Sequence, residues 1–437
     1  MPVRDILLAG GILASVPFCF VYPWIGVLMW SWLAYGNPHR LTWDFAFEFP
    51  FAQAVAAATL AGFFFSRDRR PFVWTREYLV LGLLWAWFGI SSVLAMYPEA
   101  AWEKFLEFTK ILVMAVLVVP LYQDRQRLRI FVFVVGASLG FYGIKGGLFV
   151  LGTGGSWMVL GPRGSFFESN TELALVLNMA LPILFYLAKE ETRRWLRLSL
   201  WAAFALTILA VPFTYSRGGV LGLAVVLMVL FVKARRRFLF VPVVLAALLG
   251  FTLFAPQQWV DRMQTLEDYQ EDESANLRLM SWRMAMLIAA DRPLVGGGFR
   301  VFVNRATYDI YMPEYPRGFG HDAHSIYFNL LGEHGWVGLG LFVLLVTLAM
   351  VRLYGIRRLA RGRPEIAWAA NYAHMIQASL ATYLMTGAFL SAAYFDLAYQ
   401  LVILVPLIHT LAVRQLAEAE APPVVTAPVR VRTPRTA

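Results

Sequence analysis

The sequence predicts an all-α, polytopic integral membrane protein with about twelve transmembrane helices and a large helical loop on the outer side. Hydrophobic residues make up 59% of the 437 residues and charged residues only 15%, whereas a soluble domain carries roughly 25% charged residues. Apolar runs close to the roughly 20 residues that cross a bilayer follow one another along the chain. Lys and Arg concentrate in alternate loops between these runs. A soluble multidomain protein is therefore excluded.

The predicted spans are apolar stretches bounded by charged or turn residues. They cover residues 6–36, 50–66, 77–97, 104–122, 129–151, 171–188, 196–213, 218–234, 237–254, 322–352, 366–388 and 396–413. Pro23 divides the first stretch, which could cross the membrane once or twice. With one crossing and Arg4 inside, 25 of the 38 Lys and Arg residues lie in cytoplasmic segments. The positive-inside rule then predicts twelve crossings with both termini in the cytoplasm.

Four regions follow from this pattern. Residues 1–254 hold about nine transmembrane helices, residues 255–320 form a periplasmic loop, residues 321–413 hold about three more helices, and residues 414–437 form a disordered cytoplasmic tail. Within the loop, apolar residues at helical spacing predict an amphipathic helix. These residues are Leu277, Met280, Met284, Leu287 and Ile288. So large an outer loop suggests that recognition or chemistry occurs on the extracytoplasmic side.

The charge and cysteine content narrow the possible partners. The formal net charge of +10 is explained by cytoplasmic and outer-face arginines, so no nucleic-acid partner is predicted. The single cysteine, Cys19, excludes a disulfide within the chain and a cysteine-based metal site.

The strongest local signal is the run His321-Asp322-Ala323-His324-Ser325, just before a predicted span. A neutral imidazole can take a proton from a hydroxyl near pH 7, so His324 is a candidate general base and His321 a candidate binding residue. Either histidine could instead cap the helix or lie at the interface. His321, Asp322 and His324 are also residue types that bind metals. These three lie within four residues, and the sequence shows no evident fourth ligand, so a site without metal is favoured.

Cations on the outer face are the second signal. Arg217 follows Ser216 in a short outer turn, and a guanidinium group suits phosphate oxygens. Arg163, Arg278 and, more weakly, Lys145 lie on the same predicted face. The alternative for each is a side chain that extends to the membrane interface.

Two further candidates have structural alternatives. Asn170 lies before a predicted span, where it could bind substrate or cap the helix. Tyr315 belongs to an aromatic group before the histidines and could stack on a sugar or form part of an interfacial belt.

Together these segments resemble the O-antigen ligase and polymerase superfamily of polytopic glycosyltransferases. The most diagnostic pattern of that superfamily, His-[Asn/Ser/Gln]-X9-Gly-X-X-Gly, reads here as His324-Ser325, nine residues, Gly335, two residues and Gly338. Residues 216–219 are similar to the Ser-Arg-Gly turn, and residues 278–299 to the Arg…Trp…Pro-x-x-Gly-x-Gly stretch. Residues 161–173 resemble an earlier segment, although Ser-Asn-Thr at 169–171 replaces the usual Asn-Pro-Asn.

The resemblance implies a GT-C-like membrane fold and an inverting transfer without metal or other cofactor. Undecaprenyl-diphosphate-linked polysaccharide would be the donor, and a hydroxyl of a lipid A–core sugar the acceptor, at the periplasmic face of a Gram-negative inner membrane. His324 would deprotonate the acceptor, Arg217 and Arg278 would neutralise the departing pyrophosphate, and Arg163 would assist.

Three other functions remain open. An O-antigen polymerase or a protein O-oligosaccharyltransferase would use the same donor with another acceptor. A twelve-helix transporter is less favoured, because carriers place polar sites near the midplane, whereas this chain places them at one face.

Overall fold

The computed structural model describes residues 3–233, 273–315 and 320–420, and the regular secondary structure in these ranges is entirely helical. The α-helices are α1 (Val3–Val21), α2 (Pro23–Gly36), α3 (Phe51–Phe65), α4 (Arg76–Val93), α5 (Pro98–Val116), α6 (Val118–Leu121), α7 (Arg125–Thr153), α8 (Asn170–Glu190), α9 (Arg194–Ala210), α10 (Arg217–Lys233), α11 (Glu273–Asp291), α12 (Arg305–Tyr311), α13 (Ile326–Leu359), α14 (Ala367–Gly387) and α15 (Asp396–Glu420). The all-α prediction is confirmed for this part of the chain. The predicted span 237–254 and most of the predicted tail lie outside the described residues.

Several of these helices have the dimensions of membrane spans. Among the described residues, α1, α7, α8, α13 and α15 are long and apolar enough to cross a bilayer, and α3 and α10 are shorter apolar helices. This supports a polytopic membrane protein. The count of twelve crossings stays a prediction.

Residues 6–36, predicted to cross the membrane once, form two helices, and the number of their crossings stays a prediction. Helix α1 ends at Val21, and α2 begins at Pro23, where a proline is tolerated because the first-turn N–H has no helical partner. The two helices are antiparallel, because the start of α1 lies beside the segment that follows α2: the Asp5 carboxylate accepts hydrogen bonds from the N–H groups of Asp44 (3.1 Å) and Ala46 (3.2 Å). A single arginine, Arg4, was too little charge to decide the topology.

The helix ends form two distinct faces of the bundle. At one face, which we call the basic end, Arg127 pairs with Asp68 at 2.7 Å and Arg129 with Glu191 at 2.8 Å. Helix α2 starts there, where the Tyr122 hydroxyl donates to the Trp24 carbonyl (2.6 Å), and ends at the opposite face, where the Tyr142 hydroxyl donates to the Gly36 carbonyl (2.6 Å). We call the opposite face the site end.

The two described chain ends lie at different faces. Asp5 contacts the segment after α2 at the site end, whereas Arg414 near the end of α15 contacts the Gln123 carbonyl at 3.4 Å at the basic end. The start of α1 and the end of α15 therefore lie at opposite ends of the bundle, whereas the sequence predicted both termini on one side of the membrane.

Helix α8 forms the centre of the bundle, packed against α7, α9, α10 and α14. Small residues allow close approach of helices, as is common in membrane proteins. At the crossing of α10 and α14, a Cβ on Gly222 would lie 2.2 Å from the Thr386 hydroxyl oxygen. This close crossing fixes the start of α10 relative to the end of α14, where the candidate site lies.

Candidate active site

The predicted His-X9-Gly motif forms a kinked helix. Helix α13 has a non-helical residue, Gly335, with φ 68° and ψ −171°, which divides it after the second turn. A Cβ there would lie 2.3 Å from the Leu294 carbonyl oxygen, so both the positive φ and the contact favour glycine. The N–H of Trp336 donates to the Pro293 carbonyl at 2.9 Å. The motif glycine thus allows the preceding loop to pack closely against α13.

The glycine-rich turn before the histidines completes this junction. The N–H groups of Gly297 and Gly298 donate to the carbonyls of Gly332 and Glu333, both at 2.8 Å. The Arg300 N–H donates to the Glu333 carboxylate at 2.7 Å. These bonds fix the end of the outer loop, and with it α11, on the first turns of α13.

His324 lies just before α13 in a constrained conformation. Its φ is +45°, in the left-handed region, which costs an L-residue roughly 1–2 kcal/mol. Histidine is among the residues that tolerate this region. Its N–H donates to the Ser391 hydroxyl oxygen at 2.9 Å, and its ring lies 4.7 Å from the His321 ring, centroid to centroid. The structure therefore holds the backbone of His324 in this conformation, with its ring next to that of His321.

The electrostatic environment keeps His324 neutral. Burial, and then the nearby Arg278 guanidinium, lower the pKa of His324 to about 4. At pH 7 the imidazole is therefore uncharged and can accept a proton. The same interaction shows that the predicted residues Arg278 and His324 are neighbours, although they are far apart in the sequence.

Helix α11 brings Arg278 to the histidines. The Trp282 indole N–H donates to the Ala323 carbonyl at 2.8 Å, and its ring stacks on Phe328 at 4.8 Å. One turn earlier, Arg278 lies on the same side of the helix. A helix is present where the sequence predicted one in the loop, and its amphipathic character stays a prediction. Of its predicted apolar stripe, Leu277, Met284 and Ile288 are buried, whereas Leu287 is exposed.

The predicted Ser216–Arg217 turn forms the start of α10. The Ser216 side chain accepts a hydrogen bond from the Gly219 N–H at 3.1 Å, so Ser216 caps the helix. Arg217 is its first residue. The Asn170 amide donates to the Thr214 carbonyl at 2.8 Å, which ties the start of α8 to the turn. Both polar side chains thus position Arg217, and their substrate-binding role stays a prediction.

The end of α14 connects the arginine turn with the histidine segment. A Cβ on Gly218 would lie 3.7 Å from the Phe389 Cβ, and a Cβ on Gly387 would lie 2.9 Å from the Ile326 side chain. Ser391, two residues after Phe389, binds the His324 N–H. The starts of α10 and α13 therefore converge on residues 386–391.

Arg163 lies in an exposed turn at the same end of the bundle. The turn is closed by Glu168, whose carboxylate accepts from the Gly164 N–H at 2.7 Å. A Cβ on Gly164 would lie 3.0 Å from the Arg40 guanidinium, so Arg40 is an additional site-end cation that the sequence pattern did not indicate. Lys145 is exposed on α7, two turns before its end.

The structure does not present Tyr315 as a platform for a sugar. Its side chain is 3% exposed, its ring packs on Tyr308 at 4.1 Å, and the Arg305 guanidinium lies 5.6 Å from the ring centroid. The expected stacking role is corrected to a core role, because the aromatic residues pack against each other. His321 is half-buried, with its Nδ1 3.3 Å from the Ser281 hydroxyl.

Two polar residues near His324 were missed as functional candidates. Asp322 accepts a hydrogen bond from the Ala323 N–H at 2.8 Å, and burial raises the pKa of its carboxyl group, while the nearby Ser391 hydroxyl lowers it. Asp322 was visible in the motif, but Ser391 had no local signal. Within residues 3–233, 273–315 and 320–420, no three His, Cys, Asp or Glu side chains are grouped so that they could hold a metal ion.

The proposed catalytic residues lie in a segment that matches a known family. Residues 202–343 match the family described as O-antigen ligase. The chain carries an O-antigen ligase family domain. That domain contains Arg217, Arg278 and His324 together, so the superfamily resemblance inferred from the motifs is confirmed. Its members are glycosyltransferase-like membrane enzymes.

The N-terminal part of the chain matches a different description. Residues 3–192 match a family of unknown function (DUF5935), which includes Arg163 and Asn170. No protein of curated function matches the chain. The predicted catalytic residues thus lie in the segment that matches the O-antigen ligase family. Arg163 and Asn170 lie in the segment that matches the family of unknown function.

Proposed function

We propose that this protein is an O-antigen ligase that transfers a polysaccharide from undecaprenyl diphosphate to a hydroxyl group of a lipid A–core sugar. The observation that carries the proposal is the placement of His324 beside the helix that carries Arg278. The Trp282 indole, one turn after Arg278, donates to the Ala323 carbonyl at 2.8 Å, and the Arg278 guanidinium, after burial, helps to lower the pKa of His324 to about 4. Such a pair offers a proton acceptor and an anion site in one place.

The transfer needs both groups. The acceptor hydroxyl gives its proton to His324 as its oxygen attacks the anomeric carbon, and the bond from that carbon to the diphosphate breaks on the opposite side. The configuration at the anomeric carbon is therefore inverted, and undecaprenyl diphosphate leaves. A base with a pKa of about 4 accepts the proton only as the hydroxyl oxygen loses electron density to the new bond.

The arginines act on the leaving group. Negative charge builds on the diphosphate as its bond to the sugar breaks, and fixed cations stabilise charge that develops in the transition state more than charge already present in the donor. Arg278 lies beside His324, and the start of α10 brings Arg217 to the same end of α14. In this proposal both guanidinium groups bind phosphate oxygens, and Arg163 assists at the exposed edge.

The orientation follows from the distribution of charge. The basic end would lie in the cytoplasm by the positive-inside rule, which turns the site end toward the periplasm of a Gram-negative cell. Exposed tryptophans occur at both faces, Trp43 and Trp157 at the site end and Trp74 and Trp195 at the basic end. Tryptophan at both interfaces is typical of an inner-membrane protein in contact with lipid on all sides.

The acceptor is tested by a panel. The purified protein is given one labelled undecaprenyl-diphosphate glycan with lipid A–core, with a second lipid-linked glycan, or with a Ser/Thr peptide. We expect the label on lipid A–core, and at least about 100-fold less of it with the His324→Ala variant. Label on the lipid-linked glycan or on the peptide would replace the ligase with a polymerase or a protein O-oligosaccharyltransferase.

A further inference from the structure

We propose that Ser391, which lies outside both family-matched segments, is a positioning residue that holds the His324 backbone in its working conformation. This inference rests on the proposed function, because it assigns Ser391 a role through the proposed general base. Ser391 lies 67 residues after His324, in the connection between α14 and α15.

The first step is the unusual backbone of His324. A non-glycine residue with φ +45° is held there by its surroundings, and such residues cluster at functional sites. The His324 N–H donates to the Ser391 hydroxyl oxygen at 2.9 Å. Because α13 begins only two residues later, this bond fixes where the chain enters the helix and the backbone position from which the imidazole extends.

The second step concerns Asp322, the other neighbour of the Ser391 hydroxyl group. The Ser391 hydroxyl also lies near the Asp322 carboxyl group and lowers the pKa that burial raises, so one side chain borders both the backbone of His324 and the side chain of Asp322. Its oxygen accepts the bond from the His324 N–H. An alanine would remove this bond and the polar group beside Asp322.

The third step is the rigidity of the segment that carries Ser391. The Tyr383 hydroxyl donates to the Ala392 carbonyl and the Tyr399 hydroxyl to the Ala393 carbonyl, both at 2.9 Å. Both tyrosines are buried. The Phe395 ring stacks on Phe166 at 4.8 Å with an interplanar angle of 8°. Ser391 is therefore fixed from α14, from α15 and from the 161–169 turn.

A small displacement of His324 is expected to affect the rate more than binding. A misplacement of about 1 Å can cost on the order of 100-fold in rate. The donor is bound mainly through its diphosphate and lipid, which Ser391 does not contact in this proposal. A positioning role therefore predicts a lower kcat with an almost unchanged KM for the donor.

The experiment compares five variants of the full-length protein in detergent. Ser391→Ala should lower kcat about tenfold or more, and Ser391→Thr, which keeps the hydroxyl group, should restore most of it. Ser379→Ala is the matched control, because this buried serine on α14 donates to the Met179 carbonyl at 2.9 Å, away from the site. In a His324→Ala background, Ser391→Ala should cause no further loss, as expected for residues that act together.

A second measurement does not depend on transfer activity. The His324 amide should exchange its hydrogen about tenfold faster in Ser391→Ala than in wild type or Ser379→Ala, because its acceptor is gone. Unchanged exchange would overturn the proposal, as would a wild-type kcat or an equal loss in the His324→Ala background. If wild type transferred glycan to no acceptor, the proposed function would fail, while the exchange result would still decide the contact.

Discussion

The two ends of the helical bundle use arginine in different ways. At the basic end, arginines pair with carboxylates that belong to other helices or loops, as in Arg127 with Asp68 at 2.7 Å and Arg352 with Glu77 at 2.5 Å. At the site end some arginines form the same kind of pair, as in Arg300 with Glu103 at 2.8 Å, whereas Arg278 lies near His324 and helps to lower its pKa. The comparison shows that the net charge of a membrane protein says little about its site, because what a cation does depends on the groups that surround it.

The largest expected effect comes from removing one histidine at each end. His324→Ala should lower glycan transfer by at least about 100-fold, because general-base catalysis contributes roughly 10²–10⁴-fold. His409→Ala, near the basic end of α15, should change it less than about twofold, since no reacting group lies there. Both are measured as product formed by purified protein. Equal losses in the two variants would mean that neither end is specialised for catalysis.

The second effect tests charge at the start of α10. Arg217→Ala should lower kcat by about 100-fold, comparable to the loss of one transition-state donor, and Arg217→Lys should lower it less, because charge is kept while the fork of donors is lost. The matched control is Arg129→Ala, which breaks the pair with Glu191 at the basic end. If both Arg217 variants kept wild-type kcat, the role of Arg217 in binding diphosphate would have to be abandoned.

The third effect is a shift in pH dependence. His324 must be neutral to accept a proton, and its pKa is lowered to about 4. Transfer limited by this group should therefore be nearly constant from pH 8 down to about 5 and fall as the pH decreases through the pKa. Arg278→Gln removes the second cause of the shift, so the fall should begin at a higher pH.

The shift should be partial, because burial is the larger cause and remains. The size of the shift is measured from the profiles of kcat/KM against pH of wild type and Arg278→Gln, with Arg129→Gln as the control. An acid limb at the ordinary histidine pKa of about 6.5 in wild type would contradict the environment described for His324.

The smallest effect on activity is expected at the buried pair of the basic end. Glu77 is 3% exposed at its side chain and accepts a hydrogen bond from Arg352 at 2.5 Å. Glu77→Gln should lower the free energy of unfolding by about 2 kcal/mol, because a charged hydrogen bond is lost at a buried site. The specific activity of the folded protein should stay at the wild-type level. A selective loss of kcat with unchanged thermal stability would show that the two ends are not separate.

The sequence predicted the parts of this molecule that depend on local pattern. Apolar runs and helical spacing predicted the helices, including α11, and motif spacing singled out Arg217, Arg278 and His324. The hairpin of α1 and α2 was missed, because one apolar run around Pro23 is compatible with one or two helices and the only charge before it is Arg4 and Asp5.

Long-range contacts also could not be predicted from the sequence. The bond between His324 and Ser391 joins residues 67 positions apart, and nothing in the residues around Ser391 indicates it. Tyr315 illustrates the opposite error: an aromatic residue near a site could bind a sugar or fill the core, and only the packing of Tyr308 against it distinguishes the two.

The central claim is that the site end makes a glycosidic bond with inversion. The most direct measurement is the anomeric configuration of the new linkage formed by purified protein from a labelled undecaprenyl-diphosphate glycan of known configuration and lipid A–core. We expect a linkage opposite to that of the donor, formed by wild type and at least about 100-fold more slowly by His324→Ala. A linkage that retains the donor configuration, or an equal yield with His324→Ala, would contradict the direct attack that His324 is proposed to assist.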